Sequence, residues 1–311
     1  MTQTEAGSPA ARRAESGRHF AARVIIFSEA PLLLLISIGF FHGGALVGGL
    51  LSLAGSIVLV VGALRMRNDP VDPPTPSGAP GRVPWDWTDF LMFWGGGFAA
   101  AALIGSMLIP IADLITPGAD AAVRRAAETF TAQLSDYGGQ LFNIFVLAGL
   151  RRNASLRDLG FRGFRWWWIP VAVLAAAAVY VAAGYLQEFN QSLLPHVQNG
   201  QCRAVRHDYG NFLFLAIVVV SVMAPFAEET IFRGFVYGFM RRWAPAGLAI
   251  PISAAIFAAR HGEPVLLLPL FAVGVVLALI YQLSGSIWPG AVTHAAFNLP
   301  SIILILGMSS C

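Results

Sequence analysis

Long apolar runs, separated by short polar, glycine-rich or proline-rich stretches, recur along all 311 residues. About 20 apolar residues, at ~1.5 Å rise each, suffice to cross a hydrocarbon core as a helix. Nine such segments are predicted, at roughly 22–41, 44–66, 89–114, 130–150, 166–186, 211–240, 246–261, 264–283 and 286–307. The fourth is the weakest, because Asp136, Gly138, Gly139 and Gln140 interrupt it, and the seventh is short. The pattern predicts an all-α fold, a polytopic membrane bundle of about nine transmembrane helices. Residues 1–20 read as a disordered cytoplasmic tail, and 21–209 as N-terminal transmembrane helices that include a Pro-rich linker at 67–88. Residues 210–308 read as a separate C-terminal transmembrane core. No internal repeat is found.

Composition agrees with this reading. Hydrophobic residues make up 56% of the chain and charged residues only 12%, with mean hydropathy +0.66. A soluble domain carries about 25% charged residues. The formal charge of +3 comes without a basic stripe interleaved with aromatics, so no nucleic-acid partner is expected. Arg12, Arg13, Arg18 and Arg23 precede the first run, which is long for a cleaved signal and reads as an uncleaved span. Cys202 and Cys311 are too few for a disulfide framework and lie in no zinc spacing, so two unpaired thiols are expected.

All twenty basic residues are arginine. With nine spans and the N-terminus inside, fourteen of them fall inside and five outside, Arg233 alone lying within a span. By the positive-inside rule this predicts a multi-pass protein of a bacterial cell membrane with a cytoplasmic N-terminus. Trp85, Trp87, Trp166, Trp167, Trp168, Trp243 and Trp288 fall near predicted inner boundaries, as an interfacial belt would.

Three polar clusters interrupt the C-terminal runs: Glu228, Glu229 and Arg233; His261, four residues after Phe257; and His294 with Asn298. Glu229 and Arg233 are spaced i,i+4 with the acid first, the better order for a helical ion pair. Glu228 points about 100° away and lacks that partner. His294 and Asn298 are also i,i+4 and face one way. Counted from the predicted inner boundaries, Glu228 lies ~20 Å deep, His261 ~23 Å and His294 ~12 Å. Singly, such residues serve as interhelical hydrogen-bonding links as often as they serve function. Together they predict a buried polar cavity among the C-terminal helices. A carboxylate withdrawn from water can act as a general base near neutral pH. An imidazole can hold a water, and a second imidazole with an amide can donate to a tetrahedral oxyanion without either changing protonation. That set is sufficient for amide hydrolysis. Glu228, His261 and His294 could instead bind Zn²⁺.

The motifs "EETIFR", "FAARH" and "HAAFN", in that order on successive spans, resemble the CAAX prenyl protease and bacteriocin-processing (CPBP, or Abi) family of intramembrane endopeptidases. The resemblance covers about 210–305, and "RRNASLRDLGFRG" at 151–163 is similar to the basic loop that precedes that family's core. It implies that Glu228 activates water with His261, that His294 and Asn298 form the oxyanion site, and that Glu229, Arg233 and Phe257 support them. It favours a glutamate-activated water over an essential metal, with zinc as the alternative. The implied partners are the lipid bilayer and a peptide or protein substrate, membrane-associated ones included. Two other classes compete: an ion-coupled transporter, against which the lack of repeat symmetry argues, and a non-catalytic immunity scaffold, against which the intact motifs argue.

Overall fold

The structure, a computed structural model, describes residues 9–66, 83–210 and 212–307. Among the described residues there are helices and turns and no strand. In chain order the helices are α1 (Pro9–His42), α2 (Leu46–Arg65), α3 (Trp87–Ile115), α4 (Ala121–Ile144), α5 (Trp168–Leu193), α6 (Gly200–Tyr209) and α7 (Leu213–Trp243). They continue as α8 (Ala246–Arg260), α9 (Leu267–Ser284) and α10 (Ile287–Gly307). The protein is an integral, multi-pass helical membrane protein.

Among the described residues seven helices have the length and hydropathy of a span, α1, α2, α3, α5, α7, α9 and α10, so the expected count of nine is not confirmed. The expected span at 130–150 falls in α4, where Gln133, Asp136, Gln140 and Asn143 lower the hydropathy. The one at 246–261 is α8, whose 15 residues reach only about 22 Å against a core of about 30 Å. The expected arginine asymmetry requires the α4 segment to cross, since otherwise the five arginines at 151–165 fall outside; it does not depend on α8.

Three further expectations change. The tail expected at 1–20 is helical from Pro9, because Ala, Arg and Glu are good helix formers and Pro suits a first turn. Trp85 and Trp168 are buried in protein rather than set at an interface. Cys202 is disulfide-bonded, against the expectation of unpaired thiols; the chain's other cysteine, Cys311, lies outside the described residues. So does most of the Pro-rich linker, 67–82.

The described residues form two compact units. The first holds residues up to 66 with 84–106 and 138–155. Within it, α1 and α2 pack together and Ser56 Oγ donates to the Ala30 carbonyl at 2.8 Å. Asp89 accepts from Arg151 and, at 2.7 Å, from Arg152 Nε; Arg152 also pairs with Asp86. Burial alone would raise the Asp86 carboxyl, but the Arg152 and Arg151 guanidinium groups and the Asp89 backbone N–H hold it below its ordinary range.

The second unit holds 107–137 and 156–307 with Val83, so it extends well beyond 210–308. α9 packs against α5 and α8, α10 packs against α5, and α7 meets α8, α9 and α10. Part of the basic loop belongs to this unit. Gly160, at φ +87, brings the loop against Tyr281, where a Cβ would come within 2.6 Å of the ring. Its carbonyl accepts the Ile287 N–H at 3.0 Å, fixing the start of α10.

The Asp89–Arg151 pair has no side-chain exposure on either partner. Asp89→Ala removes one partner of this buried pair and is expected to cost ~3–5 kcal/mol, read as a loss of thermal stability in detergent. Asp86, with its depressed pKa, stabilises the fold above the ordinary carboxylate range and loses that contribution as pH falls through the depressed value. The melting temperature of Asp86→Asn should accordingly depend less on pH over that acid range than the wild type.

Candidate active site

α7 is not a regular helix. Its turns widen to the π form at Val218–Met223 and again at Glu229–Tyr237, with one α-helical turn, Ala224–Glu228, between. π-turns frequently mark functional sites. Here the local cause is readable. The Ala224 N–H donates back to Val219, and Pro225 has no N–H to donate. The Val220 carbonyl is thus left without a main-chain donor from the next residue. Asn298 on α10 supplies one, its Nδ2 donating to Val220 O at 2.7 Å.

At the start of the second π segment Glu229 is fully buried, and Arg233 is 2% exposed. Arg233 Nη1 lies 3.0 Å from Glu229 Oε1, close but not aligned for a hydrogen bond. Its Nη2 donates to the Gly274 carbonyl at 3.2 Å, and its guanidinium sits 4.8 Å from the centroid of the Phe257 ring. The expected i,i+4 pair is therefore present, and it also ties α7 to α8 and α9. Glycine makes the approach of α10 feasible. A Cβ on Gly290 would come within 2.6 Å of Glu229 Oε2.

His294, one turn after Gly290, meets both glutamates. Nδ1 is 3.3 Å from Glu229 Oε1, and Nε2 is 3.8 Å from Glu228 Oε2. A carboxylate only accepts, so the Nδ1 contact is made by an N–H. Nε2 then carries a lone pair in the neutral ring and donates only when the ring holds both protons. This changes the expectation that His294 could donate to an oxyanion without a change of protonation. Glu228 Oε1 accepts the Tyr137 hydroxyl at 3.1 Å, while Oε2 is buried with no hydrogen-bond partner.

His261 caps the C-terminal end of α8, and Gly262 at φ +67 stops the helix immediately after it. Its Nδ1 donates to the Phe257 carbonyl at 2.9 Å, which leaves Nε2 as the acceptor of the neutral ring. The Phe257 ring packs edge-on against both imidazoles, at 4.9 Å from His261 and 5.8 Å from His294.

The structure thus gathers Glu228, Glu229, Arg233, His294 and Phe257 into one contact network and sets His261 against the Phe257 end of it. Asn298 attaches to the first π segment instead. Among the described residues no three His, Cys, Asp or Glu side chains converge as ligands of one metal ion. Two residues that the motifs do not contain also reach the site. Tyr137 contacts Glu228, and Asp136 pairs with Arg260 at 2.9 Å beside His261. Both lie on α4, where Asp136 read as an interruption of a span and Tyr137 carried no signal.

Residues 210–300 match the family described as Rce1-like, type II CAAX prenyl endopeptidase. No curated protein and no solved structure matches the chain. All three motifs fall inside the matched stretch.

Asn298→Ala leaves the part-buried Val220 carbonyl without its donor, and losing such a hydrogen bond costs ~1 kcal/mol. Asn298→Ala is expected to lower thermal stability by that order in detergent. Asn298→Asp, whose carboxylate cannot donate, should not restore it.

Proposed function

We propose, with the Rce1-like segment as premise, that the protein is an intramembrane endopeptidase in which Glu228 and His261 activate a water. The observation that carries this reading is Glu228 Oε2: a buried carboxylate oxygen with no hydrogen-bond partner, 3.8 Å from an imidazole nitrogen. Such an oxygen is available to accept a proton from water. The His261 Nε2 lone pair is available to orient that water. The hydroxide adds to the scissile carbonyl, and the proton taken by Glu228 passes to the leaving amine, so the products are a free carboxylate and an amine.

His294 and Asn298 are the proposed donors to the tetrahedral oxyanion. Asn298 has two N–H groups, and only one is needed by Val220. His294 donates from Nε2 as the imidazolium, with Glu229 stabilising the added charge from the other side of the ring. Arg233 in turn balances Glu229. A bound metal is not required by this scheme.

The substrate is a peptide or protein reached within the membrane, and a prenylated C-terminal segment is the first class to test. The N-terminus is proposed to face the cytoplasm of a bacterial cell, a reading that requires α4 to cross in addition to the seven long apolar helices.

Peptide-library cleavage by the detergent-purified chain, including farnesylated peptides ending in a CAAX sequence, tests the activity. Glu228→Gln is expected to abolish cleavage with the melting temperature near wild type. Near-wild-type turnover in that variant would remove Glu228 as the base. Asn298→Ala is expected to lower kcat per folded molecule ~10²–10³-fold, the usual loss for one oxyanion donor, with KM changed much less. Chelation should leave turnover largely intact. Stoichiometric zinc lost in parallel with activity would establish the metalloprotease instead.

A further inference from the structure

α4 carries two consecutive polar side chains that reach two different helices. Neighbouring helical residues point about 100° apart, so one turn of α4 can touch both. Asp136 accepts Arg260 Nη2 at 2.9 Å, on the last residue of α8 and next to His261. Tyr137 donates its hydroxyl to Glu228 Oε1 at 3.1 Å, on α7. Neither residue lies in the matched stretch 210–300.

We propose that Tyr137 is a positioning residue for the reaction: it fixes the plane of the Glu228 carboxylate so that Oε2, and not Oε1, takes the proton from water. This rests on Glu228 being the base. The terminal torsion of a glutamate is broad and roughly two-fold, so the two oxygens of a free carboxylate exchange places readily. A hydroxyl held on Oε1 ends that freedom. The oxygen left over is the one 3.8 Å from His294 Nε2, buried and without a hydrogen-bond partner. Tyr137 is suited to the task because its ring is rigid and its hydroxyl is placed by the backbone of α4.

The Asp136–Arg260 pair sets where that backbone lies. Its side chains are 32% and 31% exposed, so it adds little stability as an ion pair. It does fix the register of α4 against the end of α8. The Tyr137 hydroxyl is thereby delivered to Glu228 by the same turn that holds the residue preceding His261. Misplacement of a reacting group by about 1 Å can lower a rate ~10²-fold. A carboxylate that still occupies its site but rotates should lose less.

Two measurements on the full chain in detergent test the assignment. The first is a thermal-unfolding cycle of Tyr137→Phe, Glu228→Ala and the double variant. The double variant is expected to melt no lower than Glu228→Ala, because the hydroxyl has already lost its partner. Melting shifts that simply add would overturn the contact. The second is turnover of a peptide selected with the wild-type enzyme. Tyr137→Phe is expected to lower kcat ~10-fold with KM within ~2-fold, and Glu228→Gln to be inactive. Wild-type kcat in Tyr137→Phe beside an inactive Glu228→Gln overturns the positioning role alone. Turnover retained by Glu228→Gln overturns the base assignment and this proposal with it.

Discussion

A carboxylate with no exposure to solvent, Glu229, governs the arrangement of the C-terminal helices. An isolated buried carboxylate is too unfavourable to keep its charge, and here groups from two helices gather around it. Arg233 faces it from the next turn of α7, His294 reaches it from α10, and Gly290 leaves the space for its second oxygen. Arg233 cannot serve Glu229 without also being placed. Its other nitrogen takes the Gly274 carbonyl on α9, and its guanidinium faces Phe257 on α8. Four helices are thereby fixed to one charge pair, and none of these contacts needs to touch a substrate.

Glu228 inherits its position from that scaffold. The side chain beside a fully enclosed carboxylate points elsewhere on the helix, into the space between His294 and Tyr137. Both carboxylates keep one buried oxygen without a hydrogen-bond partner; Glu229 faces the Arg233 guanidinium, whereas Glu228 Oε1 takes the Tyr137 hydroxyl and its Oε2 faces His294 Nε2. The division of labour follows from which of two adjacent residues finds a guanidinium one turn later. The two histidines are divided in a parallel way. In each, Nδ1 is held by a fixed acceptor, the Phe257 carbonyl for His261 and Glu229 for His294. Each ring therefore presents Nε2, and the Phe257 ring between them keeps their separation.

The π-turns of α7 are a second constraint with consequences beyond the helix. Widening the helix at 218–223 and placing Pro225 just after it leaves the Val220 carbonyl in need of a donor. Asn298 meets that need and ties α10 to α7 at a level other than that of His294. Two residues one turn apart on α10 thus secure α7 on both sides of Glu228. An asparagine that satisfies a carbonyl with one N–H keeps the other for different use, so structural and chemical roles for Asn298 are compatible.

The sequence alone determined that the chain is helical and built for a membrane, because a polar backbone in hydrocarbon must satisfy itself within each segment. It also determined the Glu229–Arg233 pair, since i,i+4 spacing is a local property that survives the widened turns. The three motifs, and with them the Rce1-like segment, were legible for the same reason: each is contiguous. What the sequence could not decide depends on distance in the fold. Gln133, Asp136 and Gln140 look like defects in a span until Asp136 is seen against Arg260, 124 residues away. Cys202 reads as an unpaired thiol until the fold gives it a bond. The direction of each imidazole follows from an acceptor, and for His294 that acceptor lies 65 residues earlier in the chain. Tyr137 carries no motif, and only the path of α4 beside α7 brings its hydroxyl to Glu228. Periodicity reports which residues share a face of one helix, but hydrogen bonds between helices depend on how those helices pack. In this protein packing decides which polar side chains pair with which.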